Sequence, residues 1–215
     1  MDAEGWVLAG GRSLRMGRDK ASLAIGGRPL LEHMLDKMRG LGLRARVAGL
    51  RTPVASVFAE VLSDAHPDCG PLSGIETALA KSEATLVLVV GVDLPLLETE
   101  FLAWMLTRAT ITGALATIPR IGGQTQPLCA VYRREMLGGV TEALNACDYK
   151  VMRAVERAAA DQRLDRIGVD FFDAETVAAT DAWRSTWATH LQFMNCNTPE
   201  ELAFAGALLA GPPML

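Results

Sequence analysis

Gly5-Trp6-Val7-Leu8-Ala9-Gly10-Gly11-Arg12-Ser13-Leu14-Arg15-Met16-Gly17-Arg18-Asp19-Lys20 runs from an apolar stretch straight into a glycine-rich, basic loop. Residues 5–9 read as a β-strand. Gly10 and Gly11 follow directly. Glycine lets the backbone turn sharply and approach a ligand closely, so successive amide N–H groups can point at one phosphate. Arg15 and Lys20 add mobile cationic donors for the remaining oxygens. A second glycine pair, Gly26-Gly27, separates the loop from the next helical pattern. The loop is therefore not the dinucleotide G-x-G-x-x-G, which opens directly into a helix, and the G-x-x-x-x-G-K-[ST] pattern is absent.

Beyond the loop, short apolar runs alternate with helical patterns. Residues 29–41 predict a helix, with Leu31, Met34, Leu35 and Met38 as its apolar stripe. Residues 45–48 and 60–62 predict short strands, and residues 71–81 a helix. Residues 86–90 form a continuous leucine and valine run, the pattern of a strand buried on both faces. A helix over 98–107 and a strand over 114–118 follow. In the second half, strands over 126–132 and 164–169 and helices over 133–145 and 151–160 are expected. Residues 173–190 match no pattern, although Trp183 and Trp187 stand one helical turn apart; an insertion and a lid both remain open for them. The βαβα rhythm predicts an α/β fold, a three-layer, Rossmann-like, mostly parallel sheet. Ligands of such sheets sit beyond the carboxyl ends of the strands. The loops after Ala9, Leu62 and Gly91 fall there.

Composition narrows the class. The chain of 215 residues is half hydrophobic, enough for a sizeable core, and carries a net charge of −4. That charge offers no general attraction to nucleic acid. The most apolar run, Leu86 to Val90, is too short to cross a bilayer, and the acidic start, Met1-Asp2-Ala3-Glu4, is unlike a secretory signal. Cys69, Cys129, Cys147 and Cys196 form no CxxC pair or zinc spacing, as expected of reduced thiols in a cytoplasmic protein. His33, His66 and His190 form no metal pattern.

Three further segments carry chemistry. In Val89-Val90-Gly91-Val92-Asp93-Leu94-Pro95, Asp93 stands just past the buried strand. It can cap the helix that follows, or hold Mg²⁺, a hard ion that takes one or two carboxylates plus substrate phosphates. Ser63-Asp64-Ala65-His66-Pro67-Asp68-Cys69-Gly70-Pro71-Leu72-Ser73-Gly74 offers two aspartates before a helix that starts on proline. In Asn195-Cys196-Asn197-Thr198-Pro199-Glu200-Glu201-Leu202, a capping box explains Thr198, Pro199 and Glu201, but neither asparagine.

The string LAGGxSxRMGxDKxxL, the D-L-P turn, the D…GPLxG segment, Gln126-Pro127-Leu128 with Ala130 and Tyr132, and the N-x-N-T-P-E-E-L ending together resemble the molybdenum cofactor guanylyltransferase family, within the nucleotidyltransferase-like superfamily. The resemblance covers about residues 5–173 and 192–209. It implies the nucleotide-diphospho-sugar transferase type of fold, and one nucleotidyltransferase domain over 1–215. About 5–110 would bind the nucleotide and about 111–209 the acceptor. It implies transfer of GMP from GTP to the phosphate of molybdopterin, with Mg²⁺ as cofactor. Leu8, Ala9, Gly10 and Gly11 would hold the nucleotide, the first three lining guanine. Lys20 would meet the phosphates and Asp93 the metal, with Lys20, Arg15 and Asp93 as the catalytic set. Asp64, chosen over Asp68 because it follows the apolar Val61-Leu62, would contact the nucleotide. Gln126 would border the acceptor pocket, and Asn195 and Asn197 would lie near metal and pterin. Lys150 and Arg153 share a helix face and are either donors to the pterin phosphate or a solvated basic face. Implied partners are GTP and molybdopterin, with transient contact to molybdenum cofactor-handling proteins and a monomeric or weakly oligomeric state; nucleic acid and membrane are not among them.

The chain departs from the family pattern at Gly49, where an asparagine contacting the nucleotide is frequent, and at Val92, where cysteine is common. Alternatives are a cytidylyltransferase for the same pterin, a sugar-phosphate nucleotidyltransferase, and a nucleotide-binding module without turnover. Gly11 and the two asparagines favour guanylyl transfer, since the cytidylyl enzymes usually carry Ala-Ala-Gly in place of Ala9-Gly10-Gly11. Lys20 and Asp93 argue against loss of turnover.

Overall fold

The computed structural model describes residues 1–10, 20–50, 59–160 and 168–211. In chain order its elements are β1 (Ala3–Leu8), β2 (Ala24–Ile25), β3 (Arg28–Pro29), α1 (Leu30–Gly40), β4 (Arg44–Ala48), β5 (Glu60–Leu62), α2 (Pro71–Lys81), β6 (Leu86–Gly91) and α3 (Thr99–Thr112). The second half adds β7 (Ala116–Ile121), β8 (Gln124–Thr125), β9 (Cys129–Arg133), α4 (Leu137–Asn145), α5 (Val151–Ala159), β10 (Val169–Asp173), α6 (Ala174–Ala178), α7 (Thr189–Gln192) and α8 (Pro199–Ala210). The main sheet runs β10-β7-β9-β6-β1-β4-β5, with β8 on β7. β1 pairs parallel with β4 and β6, β4 with β5, and β7 with β10. β9 is antiparallel to both β6 and β7.

Alternation along β1 divides the core. Trp6 and Leu8 face a layer made by α2, α4 and α5, whereas Val7 points to the layer of α1 and α3. β6 lies centrally and is buried at every position, which explains its unbroken apolar run. The layered, mostly parallel architecture is the one the sequence predicts.

The differences have local causes. Gly122 and Gly123 both have positive φ (54° and 76°), the geometry of a two-residue hairpin turn, so the chain doubles back and β9 enters the sheet reversed. Of the strand expected over 126–132 only residues 129–132 are extended, in β9: Gln126, Pro127 and Leu128 make a turn between β8 and β9, closed by Cys129 N donating to Gln126 O at 3.0 Å. Pro127 has no N–H to give the ladder. Arg133 ends β9 rather than starting a helix: its backbone N–H donates to Leu115 O at 2.8 Å, and its buried guanidinium donates to Ala114 O at 3.1 Å. A 3₁₀ turn, Arg134–Met136, then leads into α4. α3 runs past residue 107 to Thr112, where Gly113 ends it at φ 67°. The last strand starts at Val169, the final residue of the expected 164–169, of which 164–167 lie outside the described residues.

Residues 173–190 hold the short α6 and the start of α7, with turns between, so Trp183 and Trp187 do not share a helix. Trp183 is buried instead. Its ring lies 5.0 Å from Phe101 and 5.2 Å from Trp104, both on α3. Glu98 just before α3 receives Ser185 Oγ at 2.7 Å and Thr186 N at 2.6 Å. This segment is thus a strap docked on α3 that delivers the chain to residues 195–198. Trp183→Ala should lower unfolding stability by about 3–5 kcal/mol, the cost of emptying a large aromatic site. Urea denaturation checks this, and a loss below about 1 kcal/mol would contradict the docking.

Candidate functional site

The loops after β1, β4, β5 and β6 are laced together beyond the strand ends. Val92 N donates to Leu8 O at 3.1 Å, Ala9 N to Ala48 O at 2.9 Å, and Gly49 N to Leu62 O at 3.2 Å. Gly91 N donates to Leu128 O at 2.7 Å, which brings the start of β9 to the same edge. Leu8, Ala9, Gly10, Asp64 and Asp93 therefore share one end of the sheet. Gly11 and Arg15 lie outside the described residues.

Gly49 accounts for one departure from the family pattern. Its φ of 73° is left-handed. A Cβ there would lie 3.1 Å from Asp64 Oδ2 and 3.3 Å from Gly10 N. The absent side chain lets the Asp64 carboxylate and the Gly10 backbone both come close to Gly49. Thr77 Oγ1, on α2, donates to Asp64 Oδ1 at 3.1 Å and orients it. Asp68 has a positive φ of 63° and lies further along the same loop.

That loop is tied to both halves of the chain through Glu76. His66 Nδ1 lies 2.7 Å from Glu76 Oε2, and Thr141 Oγ1 of α4 donates to Glu76 Oε1 at 2.7 Å. The hydrogen bond to Glu76 raises the His66 pKa above its ordinary 6.5; desolvation opposes, and the Glu76 charge and a hydrogen bond with Asn145 add to the rise.

Lys20 opens a 3₁₀ turn, Lys20–Ser22, on the far side of the glycine-rich loop. Its Nζ donates to Asp93 Oδ2 at 2.7 Å and also to Asn197 Oδ1. Both charged side chains are only about one-fifth exposed, Lys20 at 20% and Asp93 at 19%. The two acceptors are braced by backbone. Cys196 N donates to Asp93 O at 2.9 Å. Glu201 Oε2 accepts from Asn197 N at 2.6 Å and Thr198 N at 2.9 Å, while Thr198 Oγ1 accepts from Glu201 N, which closes the capping box of α8. The cap thus also fixes Asn197, a role the motif alone does not disclose because capping accounts for Glu201 completely.

The donor set fits a hard cation. A carboxylate oxygen and an amide oxygen converge on one ammonium, which stands where a cation of higher charge would. The nearby Cys196 thiol is pushed up to about 12, first by burial and then by the Glu201 and Asp93 carboxylates, against the opposing pull of Lys20. The oxygens that converge at this point are those of Asp93 and Asn197. Among the described residues no three His, Cys, Asp or Glu side chains group as a metal cage. A divalent ion here would complete its coordination with oxygens of water or of a phosphate ligand.

The remaining candidates are dispersed. Gln126 opens the turn before β9, its Nε2 donating to Gln124 O at 3.4 Å. Asn195 is exposed. Arg153 pairs with Asp148 at 2.9 Å, and Lys150 stands at the start of α5. No helix among the described residues is long and apolar enough to cross a membrane.

Loops gathered at one edge of a mostly parallel sheet, around a lysine–aspartate pair, define a class, the nucleotidyltransferases built on the nucleotide-diphospho-sugar transferase fold. Solved structures share that fold. Molybdopterin-guanine dinucleotide biosynthesis protein A from Archaeoglobus fulgidus superposes with a TM-score of 0.77 at 23% identity, over 96% of this chain and 98% of its own. The 2-C-methyl-D-erythritol 4-phosphate cytidylyltransferase of Thermus thermophilus gives 0.63 at 18% identity, over 95% and 98%. The particular family follows from sequence: the MobA-like NTP transferase domain matches residues 5–165, and the chain belongs to that family. It is similar to the molybdenum cofactor guanylyltransferase of Xanthomonas euvesicatoria, 34% identical over 92% of this chain and 90% of that protein. It is also similar to a probable molybdenum cofactor guanylyltransferase of Bacillus subtilis, 31% identical over 92% and 91%. The protein is an enzyme, a nucleotidyltransferase.

Because His66 is raised above 6.5 in the fold, its tether to Glu76 contributes fully below pH 6.5 and is lost as pH rises through the folded pKa. An NMR titration should place the His66 midpoint above 6.5 and return it toward 6.5 in Glu76→Gln. A wild-type midpoint at or below 6.5 would contradict the tether.

Proposed function

We propose that this nucleotidyltransferase moves GMP from GTP to the terminal phosphate of molybdopterin and releases pyrophosphate. The observation that carries the reading is the meeting of Lys20, Asp93 and Asn197 beside the loop formed by Leu8, Ala9 and Gly10. Backbone amides of the loop beginning at Gly10, including Gly11, receive the phosphates, with Lys20 and Arg15 as cationic donors. Leu8, Ala9 and Gly10 line the guanine, and Asp64 contacts the nucleotide. Residues about 5–110 hold GTP and about 111–209 the acceptor, with Gln126 and Asn195 on the acceptor side. The similarity to guanylyltransferases over most of the chain supports both substrates.

The acceptor phosphate is already an anion, so the attack on the α-phosphorus requires no general base. The protein's part is positioning and charge neutralisation. Lys20 and Arg15 offset the charge that grows on the leaving pyrophosphate. Asp93, with Asn197 beside it, would hold Mg²⁺, which would supply Lewis-acid neutralisation of the phosphate oxygens. The reaction takes place in the cytoplasm, in a monomer or weak oligomer that meets molybdenum cofactor-handling proteins transiently.

Incubation with GTP, CTP and molybdopterin, followed by mass spectrometry, tests the reading. The guanine dinucleotide of the pterin should form, and Asp93→Ala should lower turnover by roughly 10²–10³-fold while keeping the fold. A cytosine product, or near-normal turnover in Asp93→Ala, would contradict it.

A further inference from the structure

We propose that Lys20 is the resident cation of the Asp93–Asn197 site in the nucleotide-free enzyme, so that the divalent ion is taken up with the triphosphate and not before it. The inference rests on the reading that Asp93 holds the metal. Asp93 and Asn197 each give an oxygen to Lys20 Nζ, and the pair is four-fifths shielded from water. A free divalent ion cannot take those oxygens while the ammonium remains, because two cations would then share one largely buried carboxylate at contact distance.

The three groups differ in freedom to move. Asp93 is braced by its backbone bond with Cys196 N, and Asn197 by Glu201. Lys20 ends in a compact ammonium on a flexible four-carbon stem. Lys20 is therefore the group that leaves, and on leaving it needs another anion. A triphosphate beside the glycine-rich loop supplies the anion, together with the oxygens that one carboxylate and one amide cannot provide. Nucleotide and metal arrive as one complex, and Lys20 passes from Asp93 to the phosphates as the ion takes its place.

The exchange predicts effects of opposite sign. Mn²⁺ binding can be followed by paramagnetic resonance, with the metal alone and with α,β-methylene-GTP, in wild type, Lys20→Gln, Lys20→Met and Asp93→Asn. Melting curves confirm which variants are folded, and either lysine variant alone suffices. Wild type should bind Mn²⁺ alone weakly and take it up with the analogue. The lysine variants should bind Mn²⁺ alone roughly tenfold more tightly, since their carboxylate has lost its partner, while binding the analogue more weakly. Asp93→Asn should abolish uptake in every state. If Asp93→Asn abolishes uptake but the lysine variants bind Mn²⁺ alone no more tightly than wild type, the exchange is overturned and the metal assignment stands. If Asp93→Asn leaves uptake with the analogue unchanged, the metal assignment itself falls and the exchange with it.

Discussion

One ammonium group holds three distant segments of this chain in register. Lys20 follows the first strand's loop, Asp93 follows the central strand, and Asn197 precedes the last helix, separations of 73 and 177 residues in sequence. Each pairing alone would be modest. Together, in a partly dry pocket, they satisfy a carboxylate that would otherwise be costly to shield. The constraint propagates outward. Cys196 must lie against the Asp93 carbonyl and Glu201 must reach back to Asn197, so the position of α8 follows from the site. The strap through Trp183 brings the chain there from the end of β10, an outermost strand of the sheet.

Much of the first half is legible in the residues because its physics is local. The apolar run of β6 can only be a strand buried on both faces, and the stripe of α1 has one face to hide. The second half reads less well because its decisive interactions are not local. Gly122-Gly123 and Pro127 together reverse β9 and split it from β8, and no periodicity announces that. Arg133 looks like a helix opener until its guanidinium finds the carbonyl of Ala114. Residues 173–190 lack a period since a single tryptophan, and not a repeating face, anchors them.

The site divides in a similar way. Lys20 and Asp93 stand out through their motifs, and the fold brings them to 2.7 Å. Asp64 is preferred over Asp68 from its place after an apolar run, and in the fold its carboxylate lies against Gly49. That meeting is invisible in sequence, where Gly49 looks like a missing asparagine. The second role of Glu201 is hidden for a different reason: capping chemistry already explains the residue. Asn197 belongs to the lysine cluster, whereas the exposed Asn195 and the turn residue Gln126 have no hydrogen bond to it among the described residues.

On the proposed reading, the chemistry turns on which cation stands between Asp93 and Asn197. The most direct measurement is an anomalous-diffraction structure with Mn²⁺ and a non-hydrolysable GTP analogue. Mn²⁺ is expected on the Asp93 carboxylate, with Lys20 Nζ moved onto a phosphate oxygen. Mn²⁺ bound elsewhere, with Lys20 still on Asp93, would contradict that exchange and the metal assignment beneath it.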